Sequence, residues 1–156
     1  CGVNNVQYYQ RDGRTVGRVV PERFDRVLLD APCSSESRMR WQDHQSFEHW
    51  SLRKVRDTQR KQKSLLRSAY AALKPGGVMV YCTCSFAPEE NELVVNALLK
   101  KSDAMLLPIA NPPENSLSGL TQWMSKDLDS QLSRSLRITP KGPWDGFYLA
   151  HIAKPQ

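Results

Sequence analysis

The sequence predicts an α/β fold built around a mostly parallel sheet, and three observations support this prediction. A continuous apolar run at 24–30 is typical of a parallel strand that is buried on both faces. A segment with helical periodicity follows at 48–73, and a second apolar run follows at 77–83. This alternation of strand and helix, within 156 residues, indicates a single α/β domain.

The elements before the long helix are short. Residues 6–9 predict a short strand, and Asp12-Gly13-Arg14 predicts a turn. Residues 15–23 are expected to form a loop or a short helix that Pro21 closes, and the polar residues at 34–47 predict a surface loop.

The long helix has an apolar stripe and a defined end. Ser51 is a candidate cap for a segment that starts inside 48–73, and Lys74-Pro75-Gly76-Gly77 stops the helix. Acidic residues at 89–92 suit the first turn of a second helix. The stripe recurs at three- and four-residue intervals: Val55, Thr58, Gln62, Leu65, Leu66, Ala69, Ala72 and Leu73.

The C-terminal part is less regular. Residues 108–133 predict a loop with a short helix, residues 137–140 a turn, and residues 146–153 a final strand.

Charge and cysteine content narrow the functional class. Twenty-two basic and sixteen acidic residues give a net charge of +6, and aromatic side chains interleave the cations between Arg38 and Arg67. Cations with flat rings suit single-stranded nucleic acid, although a solvated helix face explains part of the run equally well. No apolar run is long enough to span a membrane.

The four cysteines do not predict a disulfide framework or a zinc site. Cys82 and Cys84 alternate along a strand and therefore point to opposite faces, and no C-x-x-C pair is present. Free thiols in a reducing compartment are the better interpretation, so we expect a cytoplasmic protein without a bound metal.

Cys33 and Cys84 each follow the end of a predicted strand. The carboxyl ends of neighbouring strands form the crevice in which open α/β sheets bind their ligands. Two thiols and the Asp30 carboxylate are therefore expected at one catalytic edge.

Five segments in order resemble the Nop/Sun family of RNA cytosine-5 methyltransferases, over most of residues 5–153. These segments are Asp30-Ala31-Pro32-Cys33-Ser34, Leu73-Lys74-Pro75-Gly76-Gly77, Tyr81-Cys82-Thr83-Cys84-Ser85, Glu90-Asn91-Glu92 and Asp145-Gly146-Phe147-Tyr148. The resemblance implies a Rossmann-like class I methyltransferase sheet, S-adenosylmethionine as the cofactor, and rRNA or tRNA as the substrate.

The resemblance also implies roles for single residues. Cys84 matches the nucleophile that adds to carbon 6 of cytosine and so activates carbon 5, and Cys33 matches the cysteine that helps release the product. Asp30 matches the acid beside cytosine and cofactor, although it could instead cap a turn before Pro32. Asp12 matches an acid near the cofactor's adenine, and a simple Asp-Gly turn explains it as well.

The remaining site predictions concern RNA and packing. Arg38, Arg40 and Arg60 are expected to contact the RNA. Cys82 is expected to be a small buried residue.

Two departures from the family pattern stand out. Family members often have Gly after Pro-Cys-Ser, whereas this chain has Ser35-Glu36-Ser37-Arg38. No glycine-rich cofactor turn precedes Asp12. Residues 1–156 are therefore expected to be the C-terminal part of one methyltransferase domain that lacks its N-terminal cofactor-binding half. Such a chain would be inactive alone, and its exposed sheet edge would favour self-association or a covering chain.

Three other functional classes are alternatives to this enzyme. A non-catalytic RNA-binding or assembly module could retain the fold without binding cofactor. Amino-group methyltransferases use Asp/Asn-Pro-Pro-aromatic where this chain has Asp-Ala-Pro-Cys, and a thiol redox protein would need C-x-x-C.

Overall fold

The computed structural model describes residues 2–143 and 145–156. Its helices are α1 (Val16–Val19), α2 (Leu52–Ala72) and α3 (Glu92–Leu99), with short 3-10 turns at Gly13–Thr15, Glu36–Arg38, His44–Ser46 and Ser130–Arg134. Its strands are β1 (Phe24–Asp30), β2 (Leu73–Thr83), β3 (Met105–Leu107), β4 (Ser116–Ser118), β5 (Gln122–Trp123), β6 (Lys126–Asp127), β7 (Leu136–Ile138) and β8 (Phe147–Ala153). The α/β class is confirmed. Cys1 lies outside the described residues.

The main sheet has the strand order β1-β2-β8-β7-β4, and β3 also pairs with β8. β1 and β2 are parallel, with α2 as their crossover, whereas every other pair in this sheet is antiparallel. The prediction of a mostly parallel sheet is therefore wrong. A parallel neighbour needs a long crossover, and the short connection from β7 to β8 permits only an antiparallel return.

β1 is the edge strand of the sheet and not the doubly buried strand that its sequence predicts. Val27 and Leu29 pack against the core, but Leu28 on the opposite face is 72 % exposed. The apolar run is typical of a strand between two layers, and the described residues cover only one of its faces.

The long helix begins at Leu52, later than predicted, and the Lys74-Pro75-Gly76-Gly77 segment that was expected to end it lies inside β2. Ser51 caps α2 by accepting a hydrogen bond from the Lys54 backbone N–H. The chain passes from Ala72 directly into β2, and residues 74–77 produce a shift in the β1–β2 register. Gly76 has a φ of +74°, which glycine adopts at little cost.

Other predicted elements differ in detail. Residues 6–9 have no strand partner and form no strand, and Tyr8 is 88 % exposed. The second helix begins at Glu92, at the end of the acidic segment. Residues 137–140 were expected to form a turn, but residues 136–138 form β7. The final strand is confirmed as β8.

The core lies between the sheet and the helices α2 and α3. Its largest fully buried side chains include Tyr81 and Tyr148, whose rings meet edge to face with centroids 6.3 Å apart. Glu92 at the start of α3 forms a buried ion pair with Arg137 on β7. These contacts join β2 to β8 and α3 to β7. No helix in the described ranges is long and apolar enough to cross a membrane.

Candidate active site

The candidate active site lies where the parallel strands β1 and β2 end. Asp30, the last residue of β1, is in register with Cys82, and the Ala31 N–H donates to the Cys82 carbonyl over 3.0 Å. The turn that carries Cys33 therefore lies beside the segment that carries Cys84. Both follow the carboxyl edge of the sheet, as the sequence predicts.

The sulfur atoms of Cys33 and Cys84 lie 2.8 Å apart. They border a cavity of about 480 Å³ whose lining also includes Asp30, Arg38 and Phe147. Both thiols are half-buried, so a flat ring that enters the cavity can reach them. The structure thus brings together three of the predicted catalytic and cofactor-binding residues.

Burial controls the protonation of two thiols near the cavity. It raises the pKa of Cys33 to about 11, and the hydrogen bond with Cys84 adds to the rise. Burial, with the nearby Asp30 carboxylate, raises the pKa of Cys82 to about 12. Cys33 is therefore a neutral thiol at physiological pH and can donate its S–H to the Cys84 sulfur.

Asp30 is exposed at the cavity, and Cys82 lies beneath it. Cys82 is only 4 % exposed, and its sulfur lies 3.8 Å from Asp30 Oδ1. Among the described residues, no stronger donor is bonded to this carboxylate. Its oxygens can therefore accept a hydrogen bond from a ligand or share a proton with it.

Glu36 ties the Cys33 loop to the segment that follows Cys84. Its Oε2 atom accepts hydrogen bonds from Ser85 Oγ (3.1 Å), the Phe86 N–H (2.8 Å) and the Ala87 N–H (2.7 Å). Its Oε1 atom accepts one from Trp50 Nε1 over 2.8 Å. One carboxylate therefore positions both sides of the cavity.

Glu90 supports the same loop from inside the core. Its Oε2 atom accepts hydrogen bonds of 2.9 Å from the Ser34 N–H and from Gln62 Nε2, and Gln62 Nε2 also donates to the Pro32 carbonyl. Glu90 and Gln62 are both fully buried. Burial raises the pKa of Glu90, although the hydrogen bonds oppose the rise.

Comparison with known proteins gives the family. The model of the 16S rRNA methyltransferase RsmB/F family matches residues 1–153. The chain belongs to the RsmB/F methyltransferase family. The Nop/Sun resemblance of the five sequence segments is confirmed by this match.

Curated relatives of this RsmB/F family chain are longer than it is. A tRNA (cytosine(49)-C(5))-methyltransferase of Pyrococcus abyssi is 42% identical over 157 residues, which cover 100% of the chain and 50% of the relative. A ribosomal RNA small subunit methyltransferase F of Vibrio vulnificus is 41% identical over 99% of the chain and 31% of the relative. The chain spans half or less of their length.

Solved structures of similar proteins share the fold. A methyltransferase homolog from Pyrococcus horikoshii has a TM-score of 0.80 and 32% identity, over 98% of this chain and 46% of the other. NSun6 from the same organism, solved with SFG, has a TM-score of 0.75 and 28% identity over 99% of this chain and 36% of the other. The predicted methyltransferase fold is confirmed by these neighbours.

Of the three arginines predicted to contact RNA, only Arg38 is among the residues that line the cavity beside Cys33 and Cys84. Arg38 lines it, and Arg40 forms an ion pair of 3.3 Å with Asp145, just before β8. Arg60 instead lies on α2, where it pairs with Asp57 over 3.0 Å.

Asp12 is not among the residues that line the cavity. It caps the Gly13–Thr15 turn by accepting a hydrogen bond from the Arg14 N–H, and it pairs with the Arg14 guanidinium over 2.7 Å. Hydrogen bonds from Arg14 lower the pKa of Asp12 to about 2. Asp12 is exposed and therefore open to a ligand.

Sequence reasoning missed the roles of Glu36, Glu90 and Gln62. Gln62 carried a signal, because a glutamine in an apolar stripe needs a buried polar partner. Glu90 was identified only as part of a motif and as a first-turn acid. Glu36 carried no local signal, because one of its partners, Trp50, lies 14 positions along the chain and the other three lie 49 to 51 positions along it.

Ser35, which follows Pro-Cys-Ser where family members often have glycine, has a left-handed backbone conformation. Its φ of 62° lies in the left-handed region, which glycine adopts more readily than serine. Ser35 therefore holds a backbone conformation that glycine would adopt at lower cost.

Proposed function

We propose that this chain is the catalytic part of an RNA cytosine-5 methyltransferase that acts on rRNA or tRNA. The observation that carries the proposal is the pair of sulfur atoms, 2.8 Å apart, in one cavity with Asp30. The curated relatives, named as rRNA and tRNA methyltransferases, support the substrate class. Free thiols need a reducing compartment, which supports a cytoplasmic location.

The proposed reaction begins with Cys84. Its thiolate forms a bond to carbon 6 of cytosine, and the electron pair of the C5–C6 double bond becomes available at carbon 5. Asp30, which lines the same cavity, is proposed to share a proton with ring nitrogen 3 as electron density arrives there. After methylation, a base accepts the proton of carbon 5, the C5–H electron pair re-forms the C5–C6 double bond, and the Cys84 sulfur leaves carbon 6 with the electron pair of the S–C6 bond.

Cys33 is proposed to assist this final elimination. As a neutral thiol beside Cys84, it can donate to the sulfur anion both before attack and after release. As Cys84 leaves carbon 6, the Cys33 thiol passes its proton to the Cys84 sulfur and, as a thiolate, accepts the proton of carbon 5, so that both cysteines end as thiols.

We propose S-adenosylmethionine as the methyl donor, whose cationic sulfonium supplies an electrophilic methyl group. The exposed Asp30 carboxylate suits the positive end of that molecule. Asp12, also exposed, is the second proposed cofactor residue. The structural neighbour solved with SFG, an S-adenosylmethionine analogue, supports this choice.

We propose further that residues 1–156 are the C-terminal part of a single methyltransferase domain. The exposed Leu28 face of β1 supports this, because an apolar strand is stable between two layers. The chain alone is then expected to bind S-adenosylmethionine weakly, to be inactive, and to self-associate through β1. Micromolar affinity in calorimetry on the chain alone would contradict this part of the proposal.

The test of the whole proposal uses the protein encoded by the entire reading frame that contains this sequence. Incubation with rRNA or tRNA and S-adenosylmethionine should produce 5-methylcytidine, which mass spectrometry of digested RNA detects. The Cys84→Ser variant should produce none. RNA binding without any 5-methylcytidine would favour the alternative, a non-catalytic RNA-binding or assembly module.

A further inference from the structure

Helix α2 carries the whole charge imbalance of the chain. Seven of the 22 basic residues and one of the 16 acidic residues lie between Leu52 and Ala72. The fifteen basic and fifteen acidic residues outside this helix cancel, so the net charge of +6 is localised on one element. A localised positive field indicates a surface that attracts a polyanion.

Part of this charge lines a groove between α2 and α3, away from the catalytic cavity. The groove has a volume of about 310 Å³, and its apolar floor includes Val94 and Leu98 of α3. Its cations are Arg60, Lys63 and Arg67 of α2, with Lys101 just beyond the end of α3.

The groove cations are poorly neutralised. Arg60 shares Asp57 with Arg53, whereas Lys63, Arg67 and Lys101 form no ion pair with any described residue. Asp57 is the only carboxylate in α2, so no acidic residue lies three or four positions from Lys63 or Arg67 within the helix. Burial lowers the pKa of Lys63, and nearby Lys101 lowers it further, so an anion between the two would relieve their repulsion.

The spacing of the α2 cations suits a phosphate chain. Arg60, Lys63 and Arg67 share one face of the helix, and successive members are separated by about 4.5 and about 6 Å of axial rise. Gln62, next to Lys63, donates to the Pro32 carbonyl of the catalytic turn. Lys63 of the groove therefore follows, on the same helix, a residue that contacts the wall of the active cavity.

We propose that this groove binds the phosphodiester backbone of the RNA substrate outside the target nucleotide. The proposal rests on the proposed function for the presence of RNA. Arg60, Lys63, Arg67 and Lys101 would neutralise phosphates of nucleotides that flank the cytosine in the cavity. The contacts read the backbone, so they contribute affinity without selecting sequence.

The experiment measures RNA affinity as a function of salt for the protein from the whole reading frame. The probe is a fluorescently labelled single-stranded RNA that contains 5-fluorocytosine. The variant Lys63→Gln/Arg67→Gln/Lys101→Gln should bind 10- to 100-fold more weakly at low salt, and the slope of log affinity against log salt should become shallower by about 2. This value follows from about 0.7 per lost phosphate contact on a single strand.

A control variant separates the effect of the groove cations from the effect of losing positive charge elsewhere on α2. Lys61→Gln removes a cation from the same helix outside the groove and should leave the slope nearly unchanged. The double variant Arg67→Gln/Lys101→Gln keeps the partly buried Lys63 and tests the proposal should the triple variant misfold. Its slope of log affinity against log salt should become shallower by about 1.4.

The outcomes distinguish the two proposals. At saturating RNA, the groove variants should still form the covalent 5-fluorocytosine adduct. An unchanged salt slope in both groove variants would overturn the groove proposal and assign the surface to another partner, such as an acidic protein segment. A groove-dependent slope without any adduct or 5-methylcytidine in the unmodified protein would overturn the proposed function and leave the groove proposal standing.

Discussion

The sulfur atoms of Cys33 and Cys84 lie 2.8 Å apart although 51 positions separate them in the sequence. Parallel pairing of β1 and β2 brings them together, because each residue follows the carboxyl end of its strand. One thiol is held neutral by burial, and the other is its hydrogen-bond partner. This asymmetry gives the two cysteines different expected roles.

The first prediction separates the two cysteines with RNA that contains 5-fluorocytosine, tested on the protein from the whole reading frame. Fluorine at carbon 5 cannot leave as a proton, so the proposed adduct persists and is visible as a band resistant to denaturing electrophoresis. Cys84→Ser should abolish the band, because a serine hydroxyl does not ionise at neutral pH.

Cys33→Ser should instead retain the adduct, and it should accumulate one on ordinary RNA because release is slowed. Cys82→Ala is the control, since it removes a thiol that lies outside the cavity lining without adding a hydrogen-bond donor beside Asp30. An undiminished adduct in Cys84→Ser would remove Cys84 from the proposed role.

The second prediction concerns Glu36, whose carboxylate accepts four hydrogen bonds, three from residues 85–87 and one from Trp50. In Glu36→Gln, the amide group must place an N–H₂ toward either Trp50 Nε1 or the backbone donors of Phe86 and Ala87. The variant should lose about 1–3 kcal/mol of unfolding free energy in urea titrations.

Glu48→Gln is the matched control for Glu36→Gln. Glu48 is exposed, so the same chemical change should alter stability by less than about 0.5 kcal/mol. Equal stabilities of the two variants would show that the Glu36 contacts do not hold the loop.

Local sequence patterns were enough to locate β1, β2, α2 and the cysteine pair, because each depends on periodicity or on which residue follows a strand. The Glu36 and Glu90 contacts could not be predicted in this way, since they join residues far apart in sequence. Leu28 shows a different limit. Its apolar strand indicates burial on both faces, but burial requires a covering layer that the described residues do not supply.

The third prediction uses the left-handed backbone of Ser35. A non-glycine residue in this region costs about 1–2 kcal/mol, whereas glycine's extra freedom in the unfolded chain costs about 0.5–1 kcal/mol. Because the first effect is larger, Ser35→Gly should raise the unfolding free energy by about 0.5–1 kcal/mol.

Ser125→Gly is the control for Ser35→Gly. Ser125 is exposed and is not among the residues with positive φ, so glycine there should be neutral or slightly destabilising. Urea titrations measure both variants. A loss of stability in Ser35→Gly would mean that the serine side chain supports the turn in another way.

The fourth prediction follows from the buried Glu90 carboxylate. Burial raises the pKa of Glu90 above its usual value near 4.5, so the folded state binds its proton more tightly than the unfolded state does. The contribution of Glu90 to the unfolding free energy should therefore fall as pH rises from about 4.5 through the raised pKa. Glu90→Gln removes this titration while keeping an oxygen that can accept from Ser34 and Gln62.

Urea titrations at pH 5 and pH 8 test this expectation by comparing the unfolding free energies of the unmodified protein and the Glu90 variants. Relative to the unmodified protein, Glu90→Gln should gain stability at pH 8 compared with pH 5, whereas Glu90→Leu should be destabilised by about 1–3 kcal/mol at both values, because the Ser34 N–H and Gln62 lose their acceptor. A Glu90→Gln profile parallel to that of the unmodified protein would mean that Glu90 has the same pKa in the folded and unfolded chains. The Ser34 turn would then be held by an ordinary ionised carboxylate.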